Sequence, residues 1–274
     1  LMNILITGYK GFIGRNLFAY LQTKGHTVEG YDYIENSFPD PSKYDWIIHL
    51  GAISKTTETN VNKIMKQNYD FSMRLLQLCD TMGTNFQYAS SASVYGTTGN
   101  FNEEGPVYPM NAYAWSKYFF DRFVESVDKD GFQILVQGFR YFNVYGPHEE
   151  DKKDQASPIT KFTKQAKENK VIKIFENSEN YMRDFVCVSD ICKVHEQMLT
   201  TDTSGIFNVG TGKSTSFLRI AKIIAEKYNA KLETIPMPAN LSKQYQTYTC
   251  ADLTKLNKHI DINWKTVKEF IDDQ

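Results

Sequence analysis

A short apolar run, Asn3-Ile4-Leu5-Ile6-Thr7, leads straight into Gly8-Tyr9-Lys10-Gly11-Phe12-Ile13-Gly14. That junction constrains the fold more than any other stretch. A strand that ends on spaced glycines and restarts as a helix is the opening of a βα unit. Phe12, Ile13, Leu17, Phe18 and Leu21 recur at helical spacing, which predicts a helix from Phe12 to Lys24, stopped at Gly25. Thr27 to Tyr31 then reads as a second strand.

The alternation continues. Asp45 to Leu50 is too uniformly apolar for a half-exposed strand and suits a parallel strand covered on both faces. A helix follows through Ile64, Met65, Tyr69, Met73, Leu76 and Leu78. Next come a strand at 86–89, a helix at 113–127 and a strand at 133–139. Such alternation predicts an α/β fold with a doubly wound parallel, Rossmann-type sheet. Beyond Gly146 the pattern changes. A charged loop covers 149–154, a helix runs from about Pro158 to Glu168, and strand-like pieces lie at 172–175 and 184–188. Ile206 to Val209 reads as one more sheet strand, and Ser214, Thr215 or Ser216 can cap a helix from Phe217 to Tyr228. The last fifty residues read as irregular. The expected layout is a dinucleotide-binding domain over 1–146, rejoined by 186–212, and a smaller C-terminal substrate-binding lobe from 147–185 and 213–274.

Composition narrows the function classes. The 274 residues carry 31 Lys and Arg against 32 Asp and Glu, a formal net charge of -1. That balance argues against nucleic acid as a partner. No apolar run approaches the roughly 20 residues of a membrane-spanning helix, and no basic-then-apolar leader precedes the first strand, so neither a membrane nor a secretory route is expected. The four cysteines are scattered without C-x-x-C spacing, which fits reduced thiols in a cytoplasmic protein. The five histidines lack ligand spacing, so no metal is expected.

The glycine turn is where a dinucleotide pyrophosphate would dock, with Gly11, Phe12, Ile13 and Gly14 presenting backbone N–H groups at a helix N-terminus. Asp32 closes the second strand, 18 residues after Gly14. A carboxylate there accepts from both ribose hydroxyls of NAD and repels the extra phosphate of NADP. The alternative is a loop-capping aspartate. No Lys or Arg follows until Lys43, which places NAD first and NADP second. Gly210-Thr-Gly-Lys-Ser214 resembles the tail of a phosphate-binding P-loop. Phe207 stands where that motif requires glycine, so the segment reads as strand end, turn and helix cap.

Tyr113 and Lys117 sit four apart on one helix face. A phenol titrates near 10 and is a poor acid or base at neutral pH. A neighbouring ammonium and an oxidised nicotinamide favour the phenolate and are expected to lower that pKa. A surface Tyr–Lys pair is the ordinary alternative. Ser90-Ser91-Ala92-Ser93-Val94-Tyr95-Gly96, just after the preceding strand, strengthens the chemical reading by offering the Ser91 hydroxyl to a reacting oxygen.

Taken in order, Gly8/Gly11/Gly14, the 90–96 stretch and the Tyr113/Lys117 pair resemble the extended short-chain dehydrogenase/reductase superfamily. Residues 138–147 (GFRYFNVYGP) resemble its nucleotide-sugar epimerases. Residues 175–186, 204–212 and 245–253 resemble the ADP-L-glycero-D-manno-heptose 6-epimerase branch, and these matches span about residues 3 to 256. The resemblance implies an NAD(P)-dependent isomerase of carbohydrate metabolism, in the lipopolysaccharide route, that inverts a carbon by transient oxidation to a ketone and hydride return to the opposite face. It implies Tyr113 as one acid/base, Lys117 as its electrostatic partner and a ribose ligand, and Ser91 as hydroxyl donor. Lys152 falls where the branch carries a second acid/base, although by composition alone it reads as a solvated loop lysine beside Lys153. Gly51, Ala52 and Ile53, in a turn with Ser54, would line the cofactor together with Asn68, Ser90 and Val144. Asn143, Phe175, Glu176, Asn177, Ser178, Arg183 and Tyr245 would hold the sugar nucleotide, an ADP-heptose first. Arg183 suits a diphosphate, against the alternative of a structural ion pair. A homo-oligomer is implied as well.

Two competing functions remain at this level: a UDP-hexose 4-epimerase and a nucleotide-sugar reductase. Dehydratases of the superfamily carry Asp-Glu after the active hydroxyl, where this chain has Ala92-Ser93. One departure stands out. Only 12 residues separate Asp32 from Asp45, an interval in which the superfamily usually holds a strand, a helix and an acid that reads adenine. A narrower sheet is expected.

Overall fold

The computed structural model describes residues 1–53, 58–127, 131–242 and 246–274. The first half is built as β1 (Asn3–Thr7), α1 (Phe12–Thr23), β2 (Thr27–Tyr31), β3 (Trp46–His49), α2 (Val61–Met65), α3 (Phe71–Met82), β4 (Asn85–Ser91), α4 (Ala112–Ser126) and β5 (Val136–Tyr141). Then follow β6 (Asn143–Tyr145), α5 (Pro158–Asn169), β7 (Val171–Phe175), β8 (Met182–Arg183), β9 (Phe185–Cys187), α6 (Val188–Met198), β10 (Gly205–Val209), β11 (Thr215–Ser216), α7 (Phe217–Tyr228), β12 (Lys231–Ile235), α8 (Ala239–Ser242) and α9 (Val267–Asp272).

Strands β10-β5-β4-β3-β1-β2 form one sheet in that order, all neighbours parallel. The side-chain alternation of β1 explains why helices cover both faces. Ile4 and Ile6 pack with Ile48 against Leu17 and Leu21 of α1 and Cys192 and Leu199 on the α6 side. Leu5 and Ile47 turn the other way, with Phe86 and Val136, onto Leu75, Leu76 and Cys79 of α3 and Phe120 and Val124 of α4. Each such side chain, fully buried, stabilises the fold by about 1.5–3 kcal/mol. Strand order reverses direction between β1 and β3, so a crevice opens beyond their carboxyl ends.

The expected narrowing is present. Between β2 and β3 the chain makes only one short 3₁₀ turn, Pro41–Lys43, and β2 is the sheet edge. The shortened segment is held by aromatic packing: Tyr33 and Phe38 lie 5.0 and 4.9 Å from the Phe71 ring. Tyr31 adds a hydrogen bond from its hydroxyl to the Ser37 carbonyl at 2.8 Å.

The second core belongs to the later segments. Ile159 and Ala166 of α5, Ile172 and Ile174 of β7, Phe185 of β9, Ile220, Ala221 and Ile224 of α7, and Val267 and Ile271 of α9 cluster together. Three expectations are corrected. The helix expected through 64–78 is broken by a π turn at Lys66–Asp70. The strand expected up to Val188 stops at Cys187, and Val188 begins α6. The last fifty residues are not irregular throughout, since β12 pairs in parallel with β7 and α9 packs into this second core. Among the described residues no helix is long and apolar enough to cross a membrane, and no His/Cys/Asp/Glu group suits a metal. The four cysteines are all free thiols.

Candidate active site

The glycine turn sits at the crevice. Gly8 takes φ +67°, a left-handed conformation that favours glycine, and a Cβ there would lie 2.7 Å from the Gly51 Cα. A Cβ on Gly14 would lie 2.2 Å from the Gly8 carbonyl oxygen. These contacts let α1 begin directly against β1. Its N-cap is Gly11, with no side-chain cap and no acid in the first turn. The helix therefore offers uncapped N–H groups and its positive end to an anion. That is the fit a dinucleotide pyrophosphate requires.

A cleft of about 430 Å³ gathers Gly8, Gly11, Phe12, Ile13 and Gly14 with Gly51, Ala52 and Ser90. Tyr113, Lys117 and Lys152 line the same cleft. So do Lys10, Tyr141, His148 and Gln155, which the sequence reading did not single out. Tyr141 lies within the 138–147 stretch, and no motif marks His148 or Gln155.

Helix α4 starts at Asn111, whose side chain accepts from the Ala114 N–H at 2.8 Å. This cap sets the phase that turns Tyr113 and Lys117 inward. Lys117 is buried and donates from Nζ to the Ala89 carbonyl at 2.9 Å. Its ammonium lies 5.8 Å from the centre of the Tyr113 ring. Burial pushes Lys117 down to about 8, against the pull of the Asp121 charge. Tyr113 differs from expectation. Burial raises its pKa, and a hydrogen bond with Ser91 only partly offsets this. Within the protein's own field desolvation outweighs the Ser91 contribution, so a lowered Tyr113 pKa requires the added positive charge of an oxidised nicotinamide.

Lys152 reaches the cleft from the 149–155 turn. Glu149, fully buried, anchors that turn by accepting from the Gly146 N–H at 3.2 Å and the Ser157 hydroxyl at 3.0 Å. Asn16 of α1 ties the same loop down through the Pro147 carbonyl at 2.8 Å. Lys152 Nζ sits 5.2 Å from the Phe12 ring centre, and burial lowers its pKa. Its neighbour Lys153, at φ +50° and exposed, faces a different groove beside α5 and α9.

Other expected residues support the walls. Asn68, on the π turn, accepts from the Ile53 N–H at 2.8 Å and donates to the Ile53 carbonyl and to Ser116 Oγ. It thereby clamps the Gly51–Ile53 turn to α4. Asp32 follows β2 directly and pairs with Lys10 of the glycine turn at 3.0 Å, with 69% of the lysine and 48% of the aspartate side chain exposed. Val144 is half-buried against the core beneath the sheet end. Asn143 begins β6, its side chain exposed, while its N–H bonds the Asp184 carbonyl. Phe175 ends β7, Glu176 and Asn177 form the exposed turn after it, and Ser178 is buried at the start of a 3₁₀ turn. Arg183, buried on β8, lies over the Phe217 ring at 5.4 Å. None of these substrate-side candidates lines the 430 Å³ cleft. Tyr245 and Ser54 lie outside the described residues. The Gly210–Ser214 segment is a turn: Thr211 and Gly212 donate to buried Asp184, and Ser216 caps α7.

The model of the NAD dependent epimerase/dehydratase family matches residues 4–210. The chain belongs to that family. It is 39% identical over 286 aligned positions to an ADP-L-glycero-D-manno-heptose-6-epimerase of Brachyspira hyodysenteriae, covering 92% of this chain and 90% of the relative. The crystal structure of Helicobacter pylori ADP-L-glycero-D-manno-heptose-6-epimerase superposes with a TM-score of 0.85 at 28% identity, over 99% of this chain and 94% of that one. A UDP-N-acetylglucosamine 4-epimerase from Methanobrevibacter ruminantium shares the fold, with a TM-score of 0.86 at 21% identity over 99% and 97% of the two chains. As a family member, this chain is an NAD-dependent epimerase built on a parallel Rossmann-type sheet.

Proposed function

We propose that this epimerase inverts C6 of an ADP-activated heptose, within the cytoplasm and in service of lipopolysaccharide assembly. The observation that carries the reading is the meeting of Tyr113, Lys117 and Lys152 with the glycine turn in one cleft. The heptose preference is supported by the 39% identity to a relative of that activity over nine-tenths of both chains.

Inverting a carbon with no acidic proton requires that it pass through a ketone. Bound NAD, held by Gly8 to Gly14, Gly51, Ala52 and Asp32, supplies the reversible hydride acceptor for this. Tyr113 takes the proton of the reacting hydroxyl. Ser91, whose hydroxyl favours the ionised phenol, holds the same oxygen in line. Lys117 supplies positive charge beneath the ring and a donor for ribose. Lys152, its proton loosened by burial, serves as second acid/base when the ketone presents its other face. The lobe formed by 147–185 and 213–274 holds the sugar nucleotide, with Arg183 on a phosphate and Asn143, Phe175 to Ser178 and Tyr245 around the sugar.

The test is direct. Protein denatured after purification should release NAD, and native protein given ADP-D-glycero-D-manno-heptose should invert C6, followed by NMR, with no net reduced cofactor. Tyr113→Phe should abolish turnover and keep the bound nucleotide. Released NAD without inversion would move the substrate to another nucleotide sugar, a UDP-hexose first.

A further inference from the structure

Helix α4 carries a third ionisable residue in register with the reacting pair. Tyr113, Lys117 and Asp121 stand at i, i+4 and i+8, one stripe along one face. Asp121 is fully buried. Its Oδ1 accepts from the Tyr88 hydroxyl at 2.8 Å, and its Oδ2 accepts from Ser90 Oγ at 2.8 Å and from Arg140 Nε at 2.9 Å. Arg140 can only donate, and both hydroxyls are free to donate as well, so the set suits a carboxylate. Arg140, only 2% exposed, passes the chain inward: its Nη1 donates to the Tyr95 hydroxyl at 3.1 Å, which donates to Asn208 Oδ1 at 2.5 Å. The line of charge behind the phenol alternates: ammonium, carboxylate, guanidinium.

From this geometry we infer that Asp121, fixed by Arg140, Ser90 and Tyr88, is a positioning residue that keeps Lys117 protonated beneath Tyr113. The inference rests on the reading of Tyr113 and Lys117 as the reacting pair. Lys117 needs such a partner. It is desolvated, and burial alone drives its ammonium toward the neutral amine. The groups that face it are Tyr113 and Asp121 on its own helix, the Ala89 carbonyl on β4 and His49 on β3, with Tyr141 of β5 lining the same cleft. His49 is itself held neutral by burial, with its pKa down to about 3. Asp121 is therefore the anionic group in this shell, and Arg140 opposes it from farther along the chain of contacts. Ser90 has a double place: its hydroxyl bonds Asp121 while the residue lines the cofactor cleft. The same carboxylate thus ties the cleft wall to the lysine.

The test uses Asp121→Asn, which keeps the shape and removes the charge. Its unpaired Arg140 is a folding hazard, so Asp121→Asn/Arg140→Met, which deletes both buried charges, is made alongside. The Lys117 ammonium is titrated by NMR of ¹³Cε-labelled lysine in the NAD-loaded protein, the signal assigned by its loss in Lys117→Arg. The expected result is a Lys117 midpoint lower by about 1–3 pH units in Asp121→Asn, the usual effect of losing one close opposite charge, and a smaller fall in the double variant, which also removes the more distant opposing charge of Arg140. The alkaline fall of kcat should move down by the same amount, while the acid side stays. An unmoved midpoint in either folded variant overturns the inference, because a merely structural Asp121 would leave the lysine's titration alone. A lowered midpoint with an unchanged rate profile upholds the role of Asp121 and overturns instead the reading of Lys117 as partner of the reacting phenol.

Discussion

Two buried histidines make this protein sensitive to mild acid, and the size of the effect can be worked out. His49 on β3 bonds Thr7 Oγ1 through Nδ1 at 2.6 Å and Ser72 Oγ through Nε2 at 2.7 Å. His195 on α6 bonds the Tyr141 hydroxyl through Nε2 and Gln87 Oε1 through Nδ1 at 2.7 Å. Burial drives both down to about 3. In the unfolded chain each titrates near 6.5. These folded pKa values are depressed and the groups are bases, so the unfolded state binds more protons between about pH 3 and 6.5, and stability falls as pH falls through that window. At pH 5 each histidine forfeits about 2 kcal/mol relative to pH 8, and the pair about 4. That is a large share of the roughly 5–15 kcal/mol that holds a domain together. With a urea slope of about 3 kcal/mol per molar, the midpoint should drop by about 1.3 M between pH 8 and pH 5. The assay is urea unfolding followed by tryptophan fluorescence at half-unit steps of pH. His195→Gln should lower stability at pH 8 and halve the slope. A midpoint flat from pH 8 to 5 would refute the reasoning. Thr7 Oγ1 also accepts the Gly51 N–H at 3.1 Å, so protonating His49 loosens the glycine turn first, and NAD release should precede global unfolding.

Gly14→Ala places a methyl 2.2 Å from the Gly8 carbonyl. The turn must shift by about 1 Å, costing on the order of 100-fold in turnover, and calorimetry should show NAD binding lost in parallel. Lys152→Met should cut kcat by about 10² to 10⁴ with NAD retained, whereas Lys153→Met should stay within about twofold, since a surface change away from the cleft does little; equal losses would remove Lys152 from the chemistry. Asp184, fully buried, accepts from Thr211 N–H at 2.8 Å, Thr211 Oγ1 at 2.7 Å, Gly212 N–H at 2.9 Å and Ala251 N–H at 3.0 Å. Asp184→Asn turns an amide donor toward these donors and should cost about 3 kcal/mol, read as a lower urea midpoint at pH 7.

Much of the sheet could be read from residues alone, because its signals are local. β2 and α7 fall where alternation, glycine and a serine cap put them, and β1, β3, β4 and β10 lie within a residue or two. α6 escaped notice for a physical reason: its buried face includes Asp190, Cys192 and His195, so it shows no clean apolar stripe. The π turn around Asn68 adds a residue to one helical turn, which no 3.6-residue period reveals. In the site, spaced motifs pointed to Gly8–Gly14, Tyr113 and Lys117. The partner of Asp32 is not legible in the residues that follow it, because the fold brings Lys10 to it from upstream. Asp121 and Arg140 meet only when α4 packs on β5, 19 residues apart. Lys152 and Lys153 are indistinguishable until the kink at Lys153 sends their side chains to different grooves.

The sheet margin at β2 has a consequence for how the molecule tolerates change. Among the described residues no strand lies outside β2, and the turn from Asp32 to Asp45 hangs on that open margin. The proposed reacting residues Tyr113 and Lys117 lie on the opposite flank of β1, on α4, and of the proposed cofactor contacts only Asp32 belongs to the β2 margin. Sequence inserted after Asp32 can therefore add to the sheet from outside without moving Tyr113, Lys117 or the glycine turn. Width is in this sense a detachable property of the architecture, and the reacting centre is complete without it.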